Sequence, residues 1–215
     1  MIRVRNPGRL NVGILASGRG SNFEAIADAI ERGDLNAEIK LIISDKEDAL
    51  VLKKGAKRKI PVLCVKPGDF SDAAVYERAL IAAFRSAEAE LVALAGYMRL
   101  IGDEFINAFP YCIVNIHPAL LPSFRGLNAQ RQALEAGVRF SGCTVHIVDR
   151  GMDTGPIILQ AAVPVCGDDD EESLSNRILE EEHKIYWRAL RLYCEGRLYV
   201  EEKKVLISEE KDRRK

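Results

Sequence analysis

Hydrophobic positions along this chain fall into short dense runs separated by longer amphipathic stretches. Residues 10–16 (LNVGILA) form an apolar run ending in small side chains, and residues 22–32 (NFEAIADAIER) place apolar residues at helical spacing. This predicts a strand, a tight turn and a helix. The unit repeats: a strand at 38–44 (EIKLIIS), a charged helical stretch through 59, a short strand at 62–65, and a helix at 72–86 rich in Ala, Leu and Ile. Residues 91–95 (LVALA) are apolar at every position, as in a central parallel strand covered on both faces. Strands and helices alternating at this length predict right-handed crossovers. The expected class is α/β, a doubly wound, mostly parallel, Rossmann-like sheet with helices on both faces.

The pattern becomes irregular after residue 95. A short helix at 102–109 leads to a strand at 112–116 and then to the Pro- and Gly-containing loop HPALLPSFRG at 117–126, a length of irregular chain that compact domains usually reserve for function. A helix at 130–136 follows. Strands are expected at 144–148 and 156–165, separated by the turn-forming loop DRGMDTG at 149–155. A long amphipathic helix at 172–194 closes the fold, preceded by an acidic run at 168–172 whose carboxylates suit the positive end of the helix dipole. Residues 1–207 therefore read as one domain, with 208–215 a frayed C-terminal tail and only one helix and a short tail after the irregular region.

Composition narrows the function. The 215 residues, 47% hydrophobic and 29% charged, are those of an ordinary globular domain able to bury one core without staples. Lys and Arg number 31 against 32 Asp and Glu, so no global basic field exists to hold nucleic acid. The longest apolar stretch, 91–98, falls well short of the ~18 residues of a membrane span. The run after Arg3, Arg5 and Arg9 is too short for a signal segment, which points to the cytoplasm. Five widely spaced cysteines, Cys64, Cys112, Cys143, Cys166 and Cys194, predict reduced and mostly buried thiols. The histidines, His117, His146 and His183, lie far apart, and no metal site is expected.

Three segments carry chemistry. In ASGRGSN, residues 16–22, the turn from strand to helix leaves the amides of Gly20, Ser21 and Asn22 pointing outward as a phosphate cradle, or else is a tight turn capped by Ser21 or Asn22. Asp45 lies at a distance that also fits a dinucleotide fingerprint, but Phe23 is too bulky for the third glycine of that motif. In VNIHPALL, residues 114–121, Asn115 and His117 are two apart on a strand and project to one face. An amide beside an imidazole suits a carbonyl that becomes an oxyanion, although a histidine there could equally be buried and satisfied by backbone carbonyls. Asp153, in DRGMDTG, is either a turn former or the carboxylate partner of His117.

In this order, GILASGRGSN, LVALAGYMRLI, VNIHPALLPSFRGLNAQRQALEAG, GCTVHIVDRGMDTGPIILQAAVPV and EEHKIYWRAL resemble the phosphoribosylglycinamide formyltransferase family of folate-dependent enzymes, over roughly residues 10–206. The resemblance implies transfer of the formyl group of N10-formyltetrahydrofolate to the amino group of 5'-phosphoribosylglycinamide in purine biosynthesis. It further implies that Asn115, His117 and Asp153 are catalytic, with Asp153 holding the imidazolium and raising its pKa. Gly20, Ser21 and Asn22 fall on the phosphate loop and Glu182 on a residue contacting the ribose. Met98, Arg99, Leu100 and Ile101 fall on the folate-lining segment, faced by Val148, Asp149 and the loop to Asp153, with Asn115 between. Ala73 stands where some members carry an arginine near the folate tail. No metal and no covalent intermediate are implied, leaving Cys112 and Cys143 to packing. The partners implied are small molecules, with no nucleic acid or membrane, in a monomer or dimer. The competing readings are a formyltetrahydrofolate hydrolase, a methionyl-tRNA formyltransferase-like enzyme and a non-catalytic nucleotide-binding module.

Overall fold

The computed structural model describes residues 1–209, so the expected tail lies, from residue 210 onward, outside the described residues. Along the chain run β1 (Ile2–Arg3), β2 (Leu10–Leu15), α1 (Ser21–Glu31), β3 (Ala37–Ser44), α2 (Leu50–Lys57), β4 (Val62–Cys64), α3 (Ala73–Ser86) and β5 (Leu91–Leu94). The second half comprises α4 (Asp103–Ala108), β6 (Ile113–His117), α5 (Ala129–Glu135), β7 (Phe140–Ile147), β8 (Ile157–Pro164), α6 (Glu171–Cys194), β9 (Leu198–Glu201) and β10 (Lys204–Ile207). The seven-stranded main sheet has the order β4-β3-β2-β5-β6-β7-β8. Strands β4 to β6 are parallel, β7 runs antiparallel to β6, and β8 antiparallel to β7. From β2 the chain builds outward to β4, then returns to place β5 on the other side of β2. That reversal makes the β2–β5 junction the switch point, where open α/β sheets take ligands at the carboxyl ends of their strands.

The pleat sorts side chains into two cores. Leu10, Val12 and Ile14 of β2, Leu91 and Ala93 of β5, Val114 and Ile116 of β6, and Cys143, Val145 and Ile147 of β7 pack against α1 and α6 on one face. Leu15, Ile43, Val92, Leu94 and Ile113 point the other way and meet Leu80, Phe84 and Phe105 of α3 and α4. Phe84 meets Phe105 and Phe109 edge to face at 6.2 and 6.5 Å between ring centroids, and Phe105 and Phe109 lie tilted against each other at 5.3 Å, closing this second core. Phe23, which stands where a dinucleotide site needs glycine, is fully buried in the first core.

Two expectations are corrected. Strand β7 begins at Phe140 rather than 144, because Gly142 does not break it. A Cβ at residue 142 would lie 2.0 Å from the Ala161 carbonyl oxygen, so glycine is what lets β8 approach. The chain after α6 is also not merely a tail. Gly196 turns it back, and β9 pairs with both β1 and β10 in a small antiparallel sheet whose Leu198 and Val200 are buried in the first core. The hairpin turn carries Glu202 at φ 53° instead of glycine or asparagine, so it has no turn signature in sequence. The acidic run before α6 does cap the helix: Asp170 accepts from the Ser173 amide at 2.8 Å in a capping box, and Asp169 pairs with Arg177 at 2.7 Å. All five thiols are unpaired, but only Cys143 and Cys194 are buried, while Cys166 is exposed. No helix among the described residues is long and apolar enough to cross a membrane.

Candidate active site

The face of the sheet covered by α3 and α4 is not covered at β6 to β8. There the alternation that buries Ile113 sends Asn115 and His117 toward the same side, and the register of β7 brings His146 opposite Asn115 and Thr144 opposite His117. Four polar side chains thus share one stretch of sheet. Two loops wall it, residues 118–126 after β6 and residues 148–156 between β7 and β8.

His117 is 5% exposed, and both its ring nitrogens are engaged. Nε2 lies 2.8 Å from the Phe124 carbonyl, to which it donates, and Nδ1 lies 3.4 Å from Asp153 Oδ2. A neutral ring has one N–H and leaves a lone pair against one of these oxygens; the imidazolium satisfies both. Burial nevertheless holds the pKa of His117 below the ordinary histidine value, with Asp153 and the Phe124 carbonyl opposing that pull and His146 reinforcing it. The expectation that Asp153 gives this imidazole a raised pKa is therefore corrected: the pair exists, but desolvation outweighs it. Asp153 is itself half-buried at φ 52°. Its carboxyl stays below the usual range although burial opposes ionisation, because His146, the Gly126 amide at 2.8 Å and His117 favour the charged form. Through these contacts one carboxylate ties the loop at 149–155 to the loop at 118–126.

His146 was not among the residues singled out by sequence, and the fold places it inside the cluster. It is 2% exposed, its Nδ1 donates to the Ile147 carbonyl at 3.1 Å, and Asn115 Nδ2 donates to its Nε2 at 3.3 Å. Asp153 Oδ1 is 3.6 Å from the same Nε2. Asn115 Nδ2 retains a second hydrogen for an incoming oxygen. Thr144 is a second missed residue. Its hydroxyl donates to the Ala119 carbonyl at 2.7 Å and accepts from the Leu121 amide at 3.0 Å, fixing the loop that carries Phe124.

At the other side of the switch point, α1 opens on Gly20 in the left-handed region (φ 72°) with no side-chain cap. The first helical bond is Glu24 N to the Gly20 carbonyl, so the amides of Ser21, Asn22 and Phe23 lack intrahelical partners. Such an end can accept an anion, and no side-chain cap by Ser21 or Asn22 forms there. A Cβ at residue 20 would lie 2.7 Å from Val51 Cγ2, which makes glycine a steric requirement. Asn22 turns inward instead, donating to Glu182 Oε2 at 2.7 Å. Glu182, 7% exposed on α6, is pushed up to about 7 by burial.

The segment 98–101 leaves β5 at the same crevice. Met98 and Leu100 are exposed and Ile101 half-buried, while Arg99 lies over the Tyr76 ring at 5.8 Å, turned toward α3. Across from it, the Val148 amide donates to the Ile113 carbonyl at 2.9 Å. The Asp149 carboxylate is spent within its own loop, accepting from Thr154 Oγ1 at 2.6 Å and the Gly151 amide at 3.1 Å. Its side chain shapes the loop rather than facing the crevice. Cys143 is raised to about 12 by burial and Cys112 accepts from the Tyr193 hydroxyl at 3.0 Å, so neither is poised as a nucleophile.

Comparison with known proteins gives concordant results. Residues 10–190 match the formyl transferase family model. A phosphoribosylglycinamide formyltransferase of Bacillus subtilis is 46% identical over 173 residues, 80% of this chain and 89% of that protein. A trifunctional purine biosynthetic protein adenosine-3 of Drosophila pseudoobscura is 46% identical over 198 residues; that match takes in 91% of this chain but only 14% of the larger protein's length. The crystal structure of glycinamide ribonucleotide transformylase 1 from Symbiobacterium toebii superposes with a TM-score of 0.93 at 46% identity, covering 94% of this chain and 95% of that one.

Proposed function

The chain belongs to the formyl transferase family, and from that premise we propose that it transfers the formyl group of N10-formyltetrahydrofolate to the amino group of 5'-phosphoribosylglycinamide, yielding formylglycinamide ribonucleotide and tetrahydrofolate in cytoplasmic purine biosynthesis. The observation that carries this reading is a spacing. The free amides after β2 and the polar cluster at the end of β6 are separated by β5 alone, two inter-strand steps or roughly 10 Å. That is the reach of a ribose phosphate bound by its phosphate at Ser21 and Asn22 and presenting its amine near Asn115 and His117. In this reading Glu182, hydrogen-bonded to Asn22, contacts the ribose between them. The folate enters along Met98 to Ile101, opposite the 148–153 loop.

In the reaction the amine nitrogen bonds to the formyl carbon, giving a tetrahedral intermediate whose oxygen carries the negative charge. Asn115 Nδ2 donates to that oxygen, and His117 in its protonated form supplies the facing positive charge. Asp153 orients the imidazolium and remains ionised. As the carbon–N10 bond breaks, the His117 imidazolium gives its proton to N10 and takes back the one released by the amine, Asp153 staying ionised throughout, so the enzyme ends unchanged. A hydrolase has no use for the open helix end at Ser21. Purified protein mixed with both compounds is expected to release tetrahydrofolate stoichiometrically with formylated ribonucleotide. Release of formate without dependence on the ribonucleotide would assign a hydrolase instead.

A further inference from the structure

Where β2 and β5 part at the switch point, their ladder is extended by a side chain. The Ala95 amide donates to the Leu15 carbonyl at 2.9 Å and the Ser17 amide to the Gly96 carbonyl at 3.1 Å. Gly96 then turns away at φ 75°, and the next donor, the Met98 amide, finds Ser17 Oγ at 3.1 Å. Ser17 is 4% exposed, so its hydroxyl is committed to this contact rather than to solvent. The remaining restraints on the segment come from α3. Tyr97 and Tyr76 share a hydroxyl bond of 2.8 Å, Arg99 lies over the Tyr76 ring, and the Gly102 amide donates to Glu77 Oε1 at 2.6 Å. Among the described residues Ser17 alone joins the Met98 to Ile101 wall by hydrogen bonds to the loop that ends at Gly20. That loop is held in turn by the Val51 amide, which donates to the Gly18 carbonyl at 3.1 Å.

We propose that Ser17 is a positioning residue that couples the two substrate subsites, its hydroxyl holding the folate wall in register with the phosphate loop. The proposal rests on the function assigned above. A folate seated on Met98 and Leu100 fixes the Met98 amide, hence Ser17 Oγ, hence the conformation of the loop three positions on, and a phosphate on Ser21 and Asn22 fixes the same linkage from its other end. Such a coupling is reciprocal, each ligand strengthening the other by one factor. A single N–H···O bond at its centre sets that factor at about 3- to 10-fold.

The test is calorimetric titration of tetrahydrofolate, which carries no formyl group and cannot react, with and without saturating 5'-phosphoribosylglycinamide. In the wild type the ribonucleotide is expected to lower the folate Kd about 3- to 10-fold. In Ser17→Ala the ratio falls to about one while each ligand still binds alone, and Ser17→Thr, which retains the acceptor, restores it. Wild-type protein that binds both ligands with a ratio of one, or a Ser17→Ala variant that keeps the wild-type ratio, overturns the coupling alone. Wild-type protein that binds neither ligand overturns the functional reading and the coupling with it.

Discussion

Replacing Asp153 by Asn removes the negative charge that three groups face: the Gly126 amide at 2.8 Å, His117 Nδ1 at 3.4 Å and His146 Nε2 at 3.6 Å. Asparagine matches the shape and tolerates the left-handed backbone at φ 52°, so the perturbation is electrostatic and not conformational. Unit charges 3.4 Å apart at an effective dielectric of about 20 attract by about 5 kcal/mol. Desolvation of the buried imidazole outweighs this attraction, as its lowered pKa shows, but the burial is common to both proteins and cancels in the comparison. A loss in turnover on the order of 10², about 3 kcal/mol of that attraction, is expected because the imidazolium facing the oxyanion then lacks its partner. The KM values for both substrates should stay within about threefold, because neither ground state uses the charge. The sign for His117 follows directly. Without the carboxylate the charged imidazole loses its stabilising partner, and its NMR titration midpoint moves further below the ordinary histidine value. Any limb of the pH–rate profile that requires the imidazolium moves to lower pH with it. His117→Asn should cost a similar factor, and the double variant little more than either single one, since the two side chains act as a unit. An unchanged His117 midpoint in Asp153→Asn would refute the argument and return Asp153 to the role of a turn residue.

The remaining predictions probe the two subsites and the buried acid. Gly20→Val forces a side chain against Val51 at a residue held at φ 72°, and should weaken ribonucleotide binding at least tenfold while tetrahydrofolate binding in the absence of ribonucleotide persists; calorimetry showing equal loss of both in a folded protein removes the phosphate assignment. Leu100→Asp introduces a charge at an exposed position of the folate wall, so donor KM should rise about tenfold or more with melting temperature and ribonucleotide affinity retained; an unchanged donor KM places the folate elsewhere. Glu182 is pushed up to about 7 from 4.5, so the folded state holds its proton more tightly than the unfolded chain. The stability this confers is fully present below pH 4.5 and is lost as pH rises through about 7, a change of about 3 kcal/mol that Glu182→Gln should abolish in urea melts across this range.

Much of the fold was legible because the physics that sets it is local. The fully apolar run at 91–95 gave away a central strand, and the spacing of Phe23, Ile26 and Ala27 gave the face of α1 that packs on the sheet. What escaped reading depended on a close approach between distant segments. Gly142 looks like a break until the Ala161 carbonyl 2.0 Å from its absent Cβ is known. The β9–β10 hairpin lacks turn residues, and β1 is only two residues long, so neither announces itself. Their pairing is selected by burial of Leu198 and Val200 against the core and not by propensity.

For the candidate site, the residues that the sequence singles out lie where a motif concentrates them, in ASGRGSN, VNIHP and DRGMDTG, while His146 and Thr144 join them only through register. A signal was nevertheless present. In IVNIH and in CTVHI the polar residues occupy every second position, and once β6 and β7 pair antiparallel with Asn115 opposite His146, Thr144 and His146 must share the face of Asn115 and His117. A one-residue slip would turn all four toward Phe23, Tyr186 and their neighbours and send Val114 and Ile116 to the other face, so the core that fixes the register also fixes the candidate site. The same dependence explains why the direction of the His117 pKa could not be read from its partner. The carboxylate is visible in sequence, whereas the desolvation that outweighs it arises only when two loops and two strands close around the ring.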